Sequence, residues 1–237
     1  MVSLSVNLNK IALIRNARGG NTPDVLAAAR AAESFGANGI TLHPRPDQRH
    51  ATYKDVENLK QIVTTELNVE GYPSREFMDV VCSVKPHQVT LVPDPPEALT
   101  SNAGWNTLDH GAMLADIVAE LKSHGIRTSI FMDTDLSLYE SAAATGTDRI
   151  ELYTEAYARL YPESPEKATQ PYKDAAIRAH SLGLGVNAGH DLNSLNLRHF
   201  ATEVPYLMEV SIGHALISEA LYLGLEKTIQ LYLAQLK

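Results

Sequence analysis

Short runs rich in Val, Ile, Leu and Thr recur along the chain, separated by longer stretches whose apolar residues return every three or four positions. Eight such runs read as strands, at 4–9, 39–44, 67–72, 88–93, 127–133, 149–154, 184–190 and 209–215, each of ordinary strand length and composition. The stretches between them carry helix signals. Asn21-Thr22-Pro23-Asp24 sets a capping residue before a proline at the first turn, and the AARAAESFG run ends on Gly36. Ser74 opens a stripe of Phe77, Val80, Val81 and Val84 that Pro86 closes. Further helices are expected at 113–124, 135–145, 172–182 and 217–236. Gly36, Gly125, Gly146 and Gly183 fall where a left-handed residue would end a helix before the next strand.

Strands joined by crossover helices run parallel, and eight βα units close into an α/β architecture, the (β/α)₈ barrel. No linker, repeat or break in composition divides the chain, so residues 1–237 read as one domain. A doubly wound open sheet is the alternative. It predicts a G-x-G-x-x-G turn after the first strand, and Arg18-Gly19-Gly20 is not one.

In a barrel the chemistry sits at the carboxyl ends of the strands. Those ends carry Asn7, Asn9 and Lys10; His43, Arg45, Arg49 and His50; Glu70; Asp94; Asp133; Glu151 and Tyr153; Asn187, Gly189 and His190; and Gly213 and His214. Residues two apart share a face, so Asn7 with Asn9, Thr41 with His43, Asn68 with Glu70, and Glu151 with Tyr153 can enter the barrel together. Each buried polar group without a partner costs ~1–3 kcal/mol, so this polar mouth reads as a site. Taken singly the residues have blander readings. Glu70 pairs with an arginine or acts, Asp133 orients its neighbours, and Trp105 is a lid or local packing. Arg15 is expected on the outer or loop surface, and Arg18, beside two glycines, as an anion contact.

Composition narrows the class. Asp plus Glu is 28 against 20 Lys plus Arg, a formal charge of −8, which argues against a general nucleic-acid binder. The single cysteine, Cys82, excludes an internal disulfide. No apolar run approaches the roughly 18 residues of a membrane span, and the first residues lack the features of a signal peptide, so a cytoplasmic protein is expected. His43, His50, Glu70, His190 and His214 show no metal-ligand spacing, and arginines surround them, so no metal is expected. Two anion holders are expected instead. Arg45, Arg49 and His50, with Thr100, suit a phosphate. Gly189-His190-Asp191 and Gly213-His214 occupy the usual phosphate position of barrels, where Asp191 suits an amine, a hydroxyl or a cationic partner better than an anion. Between the holders stand His43, Glu70 and His190, able to move protons near neutrality.

The stretches VNLNKIALIRNARGG, GITLHPRPDQRH, NVEGY, TLVPD, IELYT, VNAGHDL and SIGHA, in this order over nearly the whole chain, resemble the pyridoxine 5′-phosphate synthase family. The resemblance implies a (β/α)₈ barrel that condenses 1-deoxy-D-xylulose 5-phosphate with 3-amino-2-oxopropyl phosphate, without metal or organic cofactor, as a cytoplasmic homo-oligomer, an octamer in the family. It implies His43 as the first general base, Glu70 as the second acid–base group, His190 as proton donor to a departing group and Glu151 as a stabiliser of charge. Asn9, Lys10, Arg45, His50 and Thr100 would hold the xylulose phosphate. Asn7, Arg18, Asp191, Gly213 and His214 would hold the amino ketone phosphate. Many relatives have Asp-His in place of Asn9-Lys10 and Gly in place of Asp191. The rivals are a phosphosugar isomerase or aldolase on the same barrel, and a non-catalytic carrier of a B6 phosphate.

Overall fold

Alternation of apolar and polar residues along the strands decides the architecture. The computed structural model describes residues 2–94 and 103–237. Its strands are β1 (Ser3–Asn7), β2 (Gly39–Leu42), β3 (Glu66–Gly71), β4 (Gln88–Leu91), β5 (Arg127–Met132), β6 (Arg149–Tyr153), β7 (Gly185–Gly189) and β8 (Leu207–Ile212). All pair in parallel in chain order, and β8 returns to β1 to close the barrel. The helices are α1 (Asn9–Asn16), α2 (Val25–Ser34), α3 (Tyr53–Lys60), α4 (Arg75–Val84), α5 (Thr107–Ser123), α6 (Tyr139–Ala144), α7 (Glu155–Leu160), α8 (Pro165–Ser181), α9 (Leu197–Glu203), α10 (His214–Leu223) and α11 (Leu225–Gln235). No described helix is long and apolar enough to cross a membrane.

Leu4, Val6, Ile40, Leu42, Leu67, Val69, Val89, Leu91, Ile150, Leu152, Val210 and Ile212 point outward from the strands and are wholly buried under the helices. Their alternates point inward and are polar, where most barrels pack branched aliphatics. Ser5 and Thr41 share a 2.6 Å hydrogen bond, Asn68 Nδ2 donates to Thr41 Oγ1 at 3.4 Å, and Thr90 Oγ1 donates to Asn68 Oδ1 at 3.1 Å. This belt supplies partners for groups that would otherwise be buried unsatisfied.

The eight strands expected from the sequence are all present. Most end one or two residues early, because the last expected residues leave the hydrogen-bonded ladder to line the barrel mouth. Helix boundaries need more correction. The cap of α2 is Asp24, whose carboxylate accepts from the Leu26 and Ala27 amides, so Pro23 precedes the cap instead of following it. Asn106 caps α5 and starts it at Thr107, six positions before 113. The expected helix at 217–236 is two helices, α10 and α11, divided at Gly224 with φ +83°. Helices α1, α3, α7 and α9 had no counterpart among the expected elements.

Candidate active site

Bonds from side chain to backbone set the ends of the first two strands. At the end of β1, Asn7 Oδ1 accepts the Asn9 amide at 3.0 Å and turns the chain into α1. Asn9 Oδ1 in turn accepts the His43 amide at 3.0 Å, so the start of α1 clamps the end of β2. These bonds bring Asn7, Asn9, Lys10 and His43 into one cavity of about 610 Å³ at the carboxyl end of the barrel. The same cavity is lined by Arg45, Arg49, His50, Glu70, Glu151, His190, Asp191, Gly213 and His214.

One expected residue is not in it. Arg18 is exposed in the turn after α1 and does not line the cavity of its own chain. Thr100 lies outside the described residues. Conversely Leu13, Val92, Phe131 and Ser211 line the cavity without having been singled out. Face parity could have found two of them, since Ser211 lies two before Gly213 and Phe131 two before Asp133. Asp133 has a structural place, its carboxylate accepting the Gly104 amide at 2.8 Å. Trp105 is local packing: it is buried, donates its indole N–H to the Leu91 carbonyl at 2.9 Å and stacks on Tyr72.

Arg15 corrects an expectation. It is buried, not on the surface, and binds Asp55 through two bonds of 2.5 and 2.9 Å. Its Nε also donates to Asn16 Oδ1 at 3.0 Å, and Asn16 Nδ2 donates to the carbonyls of Arg49 and His50 at 3.0 and 2.7 Å. The chain Asp55–Arg15–Asn16 therefore braces the loop that carries the basic residues.

That loop concentrates positive charge. Arg45 is buried and its guanidinium meets Asp94 Oδ2 at 2.8 Å, tying the end of β2 to the segment after β4. Burial, with the charges of Lys10, Arg49 and Arg45, pushes His50 down to about 4. A neighbourhood that disfavours a further proton so strongly favours an incoming anion for the same electrostatic reason.

At the centre His43 Nδ1 lies 3.8 Å from Glu70 Oε2. Burial foremost, then Arg45, His50, His190 and Arg49, brings His43 down to about 3, so it is neutral at physiological pH. With a neutral ring and a separation beyond hydrogen-bonding range, these two are not an ion pair. They are two proton-transfer groups facing each other. Glu70 is pushed by burial up to about 7, against the opposing effects of the His190 charge and the Ser211 hydroxyl. Ser211 Oγ donates to its Oε1 at 3.3 Å and Asn7 Nδ2 to its Oε2 at 3.5 Å, so both oxygens are addressed by donors. Glu151, buried in the barrel, is held well above the ordinary carboxyl value by burial and then by Glu70 and Glu209. Two neighbouring carboxyls in different surroundings can take different proton-transfer roles.

On the far side His190 adopts φ +95°, an uncommon conformation for a residue with a side chain. Its Nδ1 meets Asp191 Oδ2 at 2.6 Å, so Asp191 finds its partner in the adjacent imidazole, and its ring packs edge-on against Tyr153. Gly189 leaves room for the Glu151 carboxyl, because a Cβ there would overlap Glu151 Oε1 and sit 2.9 Å from the Ser211 carbonyl. Gly213 precedes α10 and packs against Asn7, where a Cβ would come within 3.1 Å of the asparagine's own. Among the described residues no group of three or more His, Cys, Asp or Glu side chains converges in a way that could hold a metal ion.

Comparisons with known proteins bear on the fold and on the family. Among solved structures, 3-keto-L-gulonate-6-phosphate decarboxylase of Vibrio cholerae superposes with a TM-score of 0.67 at 11% identity, covering 99% of this chain and 97% of that one. A phosphoribosylanthranilate isomerase of Thermotoga maritima superposes at 0.60 and 14% identity, covering 100% and 98%. At such identities the likeness is one of fold. Sequence likeness goes further. The pyridoxine 5′-phosphate synthase of Parabacteroides distasonis is 61% identical over 234 residues, covering 99% of this chain and 98% of the relative. That of Christiangramia forsetii is 59% identical, end to end in both. The profile of the pyridoxal phosphate biosynthesis protein PdxJ matches residues 4–237, and the chain therefore belongs to the PdxJ family.

Proposed function

We propose that this chain, a member of the pyridoxine 5′-phosphate synthase family of vitamin B6 biosynthesis, joins 1-deoxy-D-xylulose 5-phosphate to 3-amino-2-oxopropyl phosphate, releasing pyridoxine 5′-phosphate, phosphate and water. The observation that carries this reading is the central trio: a neutral His43 faces Glu70, raised to about 7, beside a Glu151 carboxyl that burial also pushes upward.

The amine of one substrate attacks the ketone of the other and water leaves, giving an imine or its enamine. His43, already neutral, takes the first proton. Glu70, raised to about 7, takes and returns the next. Glu151 donates a hydrogen bond to oxygen that gains charge on the path, and His190, oriented by Asp191, protonates a departing group. Lys10, Arg45 and His50, with Asn9, hold one phosphate. Asn7, Gly213 and His214 hold the other substrate's phosphate at the start of α10, a helix N-terminus suited to an anion.

The direct test supplies both phosphorylated substrates in the presence of a chelator and follows pyridoxine 5′-phosphate and released phosphate together. Equimolar release by the natural chain, reduced about 10²–10⁴-fold in His43→Ala, is the expected result. Turnover of either substrate alone would instead identify an isomerase or aldolase. Tight product binding without turnover would identify a carrier.

We further read the chain as a homo-oligomer, an octamer by resemblance. Support comes from Leu195, Leu221 and Tyr222, which are 82%, 70% and 90% exposed beside α9 and α10. Apolar side chains so open to water favour burial against another copy. Light scattering on the purified protein is expected to give a mass several times 25.9 kDa, and Leu221→Lys with Tyr222→Lys to lower it.

A further inference from the structure

Below the cavity the barrel encloses charged side chains that the proposed reaction does not use. Arg127 pairs with Glu66 and donates to Gln88 Oε1 at 2.9 Å. Arg149 Nη1 reaches Glu209 Oε2 and Asn187 Oδ1, both at 3.3 Å. Arg149 lies two residues before Glu151 on β6 and therefore on the same inward face. Glu151 is in register with Asn187, and Asn187 with Glu209, so these three positions are consecutive across β6, β7 and β8.

Two backbone features place the pair there. Leu207 pairs with Val186 and Glu209 with Asn187, leaving Met208 as an extra residue in β8. Such a bulge re-aims the side chains that follow it. Without it Met208 would enter the barrel opposite Asn187, and Glu209 would turn outward into the apolar layer with Ala188. Gly185 is the second feature. A Cβ there would lie 2.9 Å from both Arg149 Cγ and Met208 Sδ, so the missing side chain makes room for the arginine stem and for the bulge.

We propose that the Arg149–Glu209 pair is a positioning element of the active site, held beneath Glu151 so that its two opposed charges keep Glu151 and Glu70 in the charge states the reaction uses. This inference rests on the reading of Glu70 and Glu151 as acid–base groups. The groups facing that carboxyl pair are Glu66 of β3, Arg127 of β5, Arg149 of β6 and Glu209 of β8 from below. His43, Arg45, Asp94 and His190 face it from the mouth. Burial dominates the behaviour of both carboxyls, and Glu209 pushes both further upward. Arg149, 3.3 Å from Glu209 Oε2, opposes that charge at its source. Removing Glu209 alone leaves an unbalanced guanidinium that favours ionised carboxylates, whereas removing both charges restores a neutral floor.

The test titrates Glu70 in the full-length, substrate-free protein, by NMR of ¹³C-labelled glutamate carboxyls assigned with Glu70→Gln. Thermal melts show that each variant is folded. In Glu209→Gln the Glu70 midpoint is expected to fall by about one pH unit, and in Arg149→Met/Glu209→Gln to return close to that of the natural chain. The acid limb of kcat/KM moves with it. Should Glu209→Gln not fold, Arg149→Met serves in its place, leaving Glu209 unbalanced and raising the midpoint. An unmoved midpoint in either single variant, or a double variant as displaced as Glu209→Gln, overturns the proposal. A midpoint that moves while the pH profile stays fixed supports the charge coupling and overturns the acid–base reading of Glu70, so the two failures are told apart.

Discussion

Replacing Glu70 by glutamine is expected to lower turnover about 10²–10⁴-fold, the range typical of removing a positioned acid–base group, while making the protein more stable at alkaline pH. Both effects have one cause. Burial raises the carboxyl from 4.5 to about 7, so between those values the folded chain binds a proton that the unfolded chain has released. Stability then falls as pH rises through this window, and above pH 7 the ionised buried group costs roughly 3 kcal/mol. Glutamine keeps the shape without the charge. Its stabilising effect is therefore largest near pH 8 and vanishes below about pH 4.5, as melting curves at the two pH values will show. In the natural chain, activity that needs Glu70 as a base rises with pH through about 7. The glutamine variant loses that limb from its residual kcat/KM profile. A variant that is stabilised but fully active would remove Glu70 from the chemistry. Its catalytic usefulness and its burden on stability are two consequences of desolvation.

Asp55→Ala is expected to act from outside the cavity. Burial alone would raise the Asp55 carboxyl, but the bonds from Arg15 and from the Thr52 amide and hydroxyl outweigh it and hold the group below its ordinary value. Removing it strands the buried Arg15 guanidinium and takes away half of the capping box of α3. Breaking a buried pair in this way costs about 3–5 kcal/mol, read as a lower urea midpoint at unchanged slope. The contribution is present above pH 3.8 and fades as pH falls below it, because it depends on an ionised Asp55. Arg15 also holds Asn16, which holds the Arg49 and His50 carbonyls, so KM for the phosphate bound by that loop should rise several-fold while kcat changes less. Asp55→Asn, which retains the cap but not the charge, should fall between the two. Lost stability with an unchanged KM would separate the brace from the phosphate loop.

Arg15 and Asp55 also mark how far local reading reaches. Forty positions separate them, and nothing in IRNARGG announces the partner. By local pattern a charged residue in a weakly amphipathic stretch belongs on the surface, and only the tertiary pairing with Asp55 of α3 makes it internal. Helix α1 was missed for a related reason. Its N-cap, Leu8, makes no side-chain capping bond, and the helix is held by the bonds of Asn7 and Asn9 to the barrel, not by its own sequence. The break at Gly224 was hidden because apolar periodicity continues on both sides of it.

The strands, by contrast, were legible one by one. Alternation is a property of adjacent residues, and eight alternating runs with helices between them leave few topologies open. The same alternation put Asn7, His43, Glu70 and Glu151 on one face before any contact was known. It could not show which polar face would be desolvated, that His43 would be neutral, or that burial would raise both Glu70 and Glu151. Those properties depend on charges brought together from β2, β3, β6, β7 and β8, and on a bulge in β8 that turns Glu209 inward. The chain's local pattern determined which elements form and which residues reach the mouth of the barrel. The closed tertiary structure decided their protonation, because burial and the Coulomb field of distant neighbours exist only once the strands have met.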